Sequence, residues 1–180
     1  MFEHAVSQLY SVSLIHGLNG ESSRDKVELS KLVDSICVPA FNITGFEYKP
    51  SYSLSKKHII NTVDNNTVAI ALIINELVMN AIKHTPGSLI DEIKINIITL
   101  LDDAVLEIRN PGNVLPKNFN FSSGTGLGTG LTLIRSLLPK QGAELKIRQT
   151  TQGIVTHLIL TTPNLENKYD FKRYREKQSA

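Results

Sequence analysis

Four polar side chains near the middle of the sequence have the spacing of a single reactive site. Glu76, Asn80, Lys83 and His84, placed on a helix at about 100° per residue, fall within an arc of roughly 100°. Ile70, Ile74, Leu77, Val78 and Ala81 occupy the adjoining arc. One side of such a helix buries while its neighbour presents a carboxylate, a carboxamide, an ammonium and an imidazole to one place. A carboxamide oxygen and a carboxylate suit Mg²⁺ or an attacking hydroxyl, and Lys83 and His84, one turn further on, suit phosphate oxygens. The competing reading is an amphipathic helix whose polar face is merely wet.

A second segment points the same way. Gly124-Thr125-Gly126-Leu127-Gly128-Thr129-Gly130 has glycine at every other position and leads into a helix. Such a loop can turn several backbone N–H groups toward a phosphate, since no side chain blocks the approach, and the helix N-terminus adds partial positive charge. No Gly-Lys-Ser/Thr follows, so it is not a Walker A loop. Nor does it open the first helix after a strand with an acidic residue about 20 positions on, as a dinucleotide fold requires. A flexible linker is the alternative.

The elements that must position these residues are legible from periodicity. Apolar residues recur at helical spacing over residues 2–18, and Asn19-Gly20 ends that run. A second helix is expected over 25–38, stopping near Pro39, with short strands at 41–48 and 58–63. Asn65, Asn66 and Thr67 offer capping side chains for the helix that carries Glu76 and Asn80, which Pro86-Gly87 closes beyond His84. Residues 92–101 and 104–109 read as a hairpin turning at Asp102-Asp103. After a polar, glycine-rich stretch come a helix over 131–140 and two strands, 144–149 and 154–161. Past Pro163 the chain is polar and charged, and a flexible end or an unpaired helix is expected. Helices and hairpins intermixed in this way predict an α+β fold: a two-layer α/β sandwich of a mixed, mostly antiparallel sheet with helices on one face.

Composition sets outer bounds. A length of 180 residues, 41% of them hydrophobic and 20% charged, suits one folded domain and argues against disorder. The formal charge of +2 is too nearly neutral to predict a nucleic-acid partner. A single cysteine, Cys37, excludes an internal disulfide and favours a reducing, cytoplasmic setting. The longest apolar run, 68–74, is far short of the roughly 20 residues that span a bilayer, so no direct membrane contact is expected, although the chain could be the cytoplasmic part of a membrane-bound sensor.

The two polar elements together resemble a known family. The string NELVMNAIKH (75–84) looks like the N-box of the ATPase superfamily that groups DNA gyrase, Hsp90, sensor histidine kinases and MutL, and GTGLGTGL (124–131) looks like its glycine-rich lid box. Between them IRNPGNVLP (108–116) sits where the family has its adenine-binding turn. The resemblance covers roughly residues 28–163. Lys83-His84 late in the N-box is similar to the protein kinases of the group, and residues 8–20 resemble the end of the second dimerisation helix in one class of sensor histidine kinases.

The resemblance implies roles and partners. The cofactors would be ATP and Mg²⁺. Asn80 would hold the metal, Glu76 would orient or deprotonate the attacking group, and Lys83 and His84 would contact phosphates. Asn110 would meet the adenine amino group, Gly112 would let the backbone pass close to the base, and Thr156 would complete the adenine site. Gly124, Thr125, Gly126, Leu127, Gly128, Thr129 and Gly130 would form the lid. The family's usual aspartate is replaced by Asn110, whose oxygen can still accept while its NH₂ donates elsewhere. Residues 1–20 would be the remnant of a dimerisation helix, 21–163 the catalytic ATP-binding domain and 164–180 a charged tail. The phosphoacceptor histidine would lie upstream on the kinase's own dimerisation domain, with a response regulator downstream, so this chain alone would not autophosphorylate. The alternatives are a free-standing serine kinase of the anti-sigma-factor type and a nucleotide-binding module without phosphotransfer.

Overall fold

The computed structural model describes residues 27–45, 51–53, 58–100, 103–112 and 114–169. The expected N-terminal helix, with His4 and His16, lies outside these residues. The elements run β1 (Val27–Glu28), α1 (Leu29–Asn42), β2 (Ser51–Ser53), β3 (His58–Thr62), α2 (Asp64–His84), a 3₁₀ segment (Gly87–Glu92), β4 (Lys94–Leu100), β5 (Asp103–Pro111), α3 (Thr129–Leu137), β6 (Ala143–Gln149), β7 (Gly153–Leu160) and β8 (Leu165–Tyr169).

Five strands form the main sheet in the order β2-β4-β5-β7-β6, antiparallel throughout except for the parallel β2–β4 pair. A smaller sheet, β1-β3-β8, is antiparallel. The mixed, mostly antiparallel α+β fold expected from the sequence is thus the one observed, with its strands divided between two sheets. Strand alternation places Ala104, Leu106 and Ile108 of β5 and Leu158 and Leu160 of β7 in the core. From α2, Ile70, Ile73, Ile74, Leu77, Val78 and Ala81 close over them. By length and composition α2 could cross a membrane, with mean hydropathy 1.3 over Asn66–His84. That apolarity faces the core, and over half of the helix is buried inside the fold.

Several elements depart from the sequence expectation. Pro39 lies inside α1 rather than after it, and Phe41, expected to open a strand, is still helical. Burial of Ala40 and Phe41 carries the helix past the proline, whose intrinsic penalty is overridden by packing. Val63 stands at the N-cap of α2 without a side-chain cap. Instead, Thr67 Oγ1 donates back to Val63 O at 3.2 Å, and Asn66 Nδ2 donates to Asn164 Oδ1 at 2.7 Å. Asn164, fully buried, also donates to Gln141 O at 2.8 Å. The segment after it is the strand β8, paired with β3, rather than a flexible end or unpaired helix, and Leu165 anchors it in the core. That single apolar side chain in a polar stretch contributes roughly 2 kcal/mol of burial.

On the other face of the main sheet, β5 carries an acidic side chain that is almost completely buried. Glu107 accepts from Arg109 Nε at 2.8 Å and Nη2 at 3.0 Å, and from Asn96 Nδ2 at 3.2 Å, while His157 Nε2 lies 2.9 Å away. Asn96 and His157 stand directly opposite Glu107 on the two neighbouring strands. The Arg109 guanidinium first, then His157 and Asn96, hold the Glu107 carboxyl at a pKa of about 2 against the opposing effect of burial.

Candidate functional site

A cavity of about 770 Å³ opens between α2, the main sheet and the glycine-rich stretch. Its floor is one face of three adjacent strands: Ile108 and Asn110 from β5, Ile154 and Thr156 from β7, and Ile147 from β6. Register sets Ile108 opposite Thr156 and Asn110 opposite Ile154, so the two polar groups sit diagonally on an apolar surface. Asn110 is 6% exposed and Thr156 8%. Among the described residues, none hydrogen-bonds either side chain, which leaves both directed at whatever fills the cavity.

The wall from α2 presents Glu76, Asn80, Lys83 and His84, the face expected from the helical spacing. Glu76 is 1% exposed, deep in the cavity, whereas Lys83 and His84 end the helix at its mouth. Partial burial of its ring and, second, the neighbouring Lys83 lower the His84 pKa, so the imidazole is more readily neutral than a free one.

The opposite rim is the glycine-rich stretch, the expected lid. Gly126, Gly128, Thr129 and Gly130 line the cavity, and Gly128 is the N-cap of α3, so the first N–H groups of that helix face it. Gly130 comes so close to α2 that a Cβ on it would stand 2.7 Å from Glu76 Oε2 and 3.3 Å from Asn80 Nδ2. The absence of a side chain at position 130 is therefore what lets the two motifs come together. Gly124, Thr125, Leu127 and Gly112 do not line the cavity. Gly124 (φ +83°) leaves room for the Arg135 guanidinium, and Gly112 (φ +72°) leaves room for Pro86 and Leu89.

The stretch between β5 and α3 is pinned at several points. Gly112 N donates to Gln152 O at 3.1 Å and Leu115 N to Gln149 Oε1 at 2.8 Å. Asn120 and Thr125 form an isolated antiparallel bridge, and Arg135 Nη2 donates to Ser122 O at 3.1 Å. Val114, Leu115, Pro116 and Phe119 from this stretch, with Leu131 and Leu133 of α3, give the cavity its apolar wall. Val114, Leu115, Pro116 and Leu131 fall within the two segments the sequence singles out but without an individual role, and Phe119 and Leu133 lie outside them. Sequence reasoning missed Arg135, which carries no signal.

A family model of histidine kinase-, DNA gyrase B- and HSP90-like ATPases matches residues 65–166, more than half of the chain. The chain belongs to this ATPase family. No curated protein sequence matches it. Among solved structures, this ATPase-family domain is similar to the histidine kinase domain of the Erythrobacter litoralis EL346 blue-light activated histidine kinase. The TM-score is 0.70 at 12% identity, over 89% of this chain and 76% of that one. It is also similar to the catalytic domain of histidine kinase ThkA, with TM-score 0.60 and 17% identity over 78% of this chain and 97% of that one. The ATP-binding domain of PrrB from Mycobacterium tuberculosis gives TM-score 0.54 and 18% identity over 78% of this chain and all of that one. Identities this low establish a shared fold.

Proposed function

We propose that this domain binds Mg-ATP as the catalytic part of a two-component sensor histidine kinase and transfers the γ-phosphate to a histidine on a dimerisation helix of the same kinase. The observation that carries the reading is the contact of Gly130 with Glu76 and Asn80, which joins the lid to the acidic and amide groups of α2 at one point. In this reading the base lies on the Asn110–Thr156 floor, and the phosphates reach toward Lys83, His84 and the N-terminus of α3.

The donor set fits a magnesium ion delivered with the nucleotide. Among the described residues no group of three His, Cys, Asp or Glu side chains could hold a metal alone. Mg²⁺ bound by one or two protein oxygens plus phosphate oxygens and water needs no such group, and in this reading Asn80, which lines the cavity, would supply the protein oxygen that joins it. When bound, the ion would neutralise charge on the β- and γ-phosphates.

In this reading Glu76, which lines the cavity, would orient the incoming imidazole and take its proton as the N–P bond forms and the bond from the γ-phosphorus to the bridging oxygen breaks, releasing ADP. In this reading the acceptor histidine lies on the dimerisation domain of the same kinase, and a response regulator would take the phosphoryl group next. The test is phosphoryl transfer from labelled ATP in the kinase with its acceptor domain. Glu76→Gln should abolish labelling and leave ATP affinity within about threefold, and full labelling by the variant would contradict the assignment of the base.

A further inference from the structure

Among the described residues, the floor of the cavity has no group that fixes the direction of a hydrogen bond to a purine. Asn110 is nine-tenths buried, lines the cavity and has no hydrogen bond to any described residue. A carboxylate in that place could only accept. A carboxamide offers an oxygen acceptor and an NH₂ donor side by side, and rotation by half a turn exchanges them. Adenine presents an amino donor at C6 and an acceptor at N1, whereas a 6-oxopurine presents an acceptor at C6 and a donor at N1. Where Asn110 meets the C6 group, one orientation accepts from the adenine amino group and the other donates to the 6-oxo oxygen.

Among the described residues, none locks either orientation. Thr156, the other polar group on the floor, carries a hydroxyl that both donates and accepts, and it too has no hydrogen bond to a described residue. Ile108, Ile147 and Ile154 supply flat apolar contact that does not distinguish one purine ring from another. The cavity's titratable groups, Glu76, Lys83 and His84, all sit on α2 rather than on the floor.

We infer that this pocket accepts 6-oxopurine nucleoside triphosphates as well as ATP, with Asn110 as the residue that relaxes the choice. The inference rests on the nucleotide-binding reading above. Its test is calorimetric titration of the protein with Mg-ATP and with Mg-ITP, which differ only in the C6 and N1 groups. The wild-type protein should bind the two within about tenfold of each other. Asn110→Asp should weaken ITP selectively, raising the ITP-to-ATP ratio of dissociation constants by at least about tenfold, because a carboxylate meeting the C6 group can accept from the adenine amino group but has no proton to donate to a 6-oxo oxygen. Asn110→Ala should weaken both alike and leave the ratio near its wild-type value.

Wild-type protein that binds ATP but rejects ITP by more than about a hundredfold overturns the inference and leaves the ATP site standing. An Asn110→Asp ratio equal to wild type, or an Asn110→Ala loss confined to ATP, overturns it equally. Binding of neither nucleotide overturns the underlying reading itself.

Discussion

Gly130 of α3 approaches Glu76 of α2 so closely that a Cβ at position 130 would lie 2.7 Å from Glu76 Oε2. The approach is steric rather than conformational, because Gly130 is not among the glycines with positive φ. Gly130→Ala should therefore push α3 away from α2 and cost roughly 1–3 kcal/mol of stability. Gly128→Ala meets nothing within 4 Å and should cost less than half as much. Thermal unfolding of the two variants side by side checks this, and equal losses would show that the close approach is not what position 130 requires.

A second prediction concerns the lid's anchor. Gly124→Ala combines a positive φ, worth about 1–2 kcal/mol in backbone strain, with a Cβ 2.8 Å from Arg135 Nη1. The guanidinium can swing away only by giving up its hydrogen bond to Ser122 O. In an Arg135→Ala background the steric part disappears and the backbone part remains. A double-mutant cycle by chemical denaturation should give a coupling of about 0.5–1.5 kcal/mol. Additive losses would show that Gly124 and Arg135 do not act together.

Acid should weaken the fold through Glu107. Its folded pKa of about 2 lies below the ordinary carboxyl value of 4.5. The carboxylate's stabilisation is therefore complete above the unfolded pKa and is lost as pH falls from about 4.5 toward 2. Glu107→Gln removes that dependence, at a loss on the order of 2 kcal/mol near neutral pH. Stability measured against pH should show a shallower fall for the variant in this window, and parallel curves would contradict the network's role.

The site was more legible in the sequence than the segments that frame it. Glu76, Asn80, Lys83 and His84 follow from helical spacing alone, because a long helix with one apolar face fixes where its polar face points. The lid glycines were visible as a pattern, but which of them line the cavity was not. Gly124 and Gly112 are held by Arg135 and by Pro86 with Leu89, partners that local sequence does not announce. Pro39 and β8 were misjudged for one reason. Local propensity argued for a stop and for a charged tail, while Phe41 and Leu165 each supply buried apolar area that decides the matter from a distance. The Glu107 network was invisible because its members come from three strands.

In the proposed function α2 and the glycine-rich lid form one Mg-ATP site, with Asn80 supplying its protein oxygen for the metal. Calorimetric titration of ATP with and without magnesium, on wild type and Asn80→Ala, tests it most directly. Wild-type affinity should rise on adding magnesium, and Asn80→Ala should erase most of that gain, a loss of about tenfold or more, while leaving magnesium-free binding nearly unchanged. An Asn80→Ala variant that keeps the full magnesium-dependent gain would contradict the account.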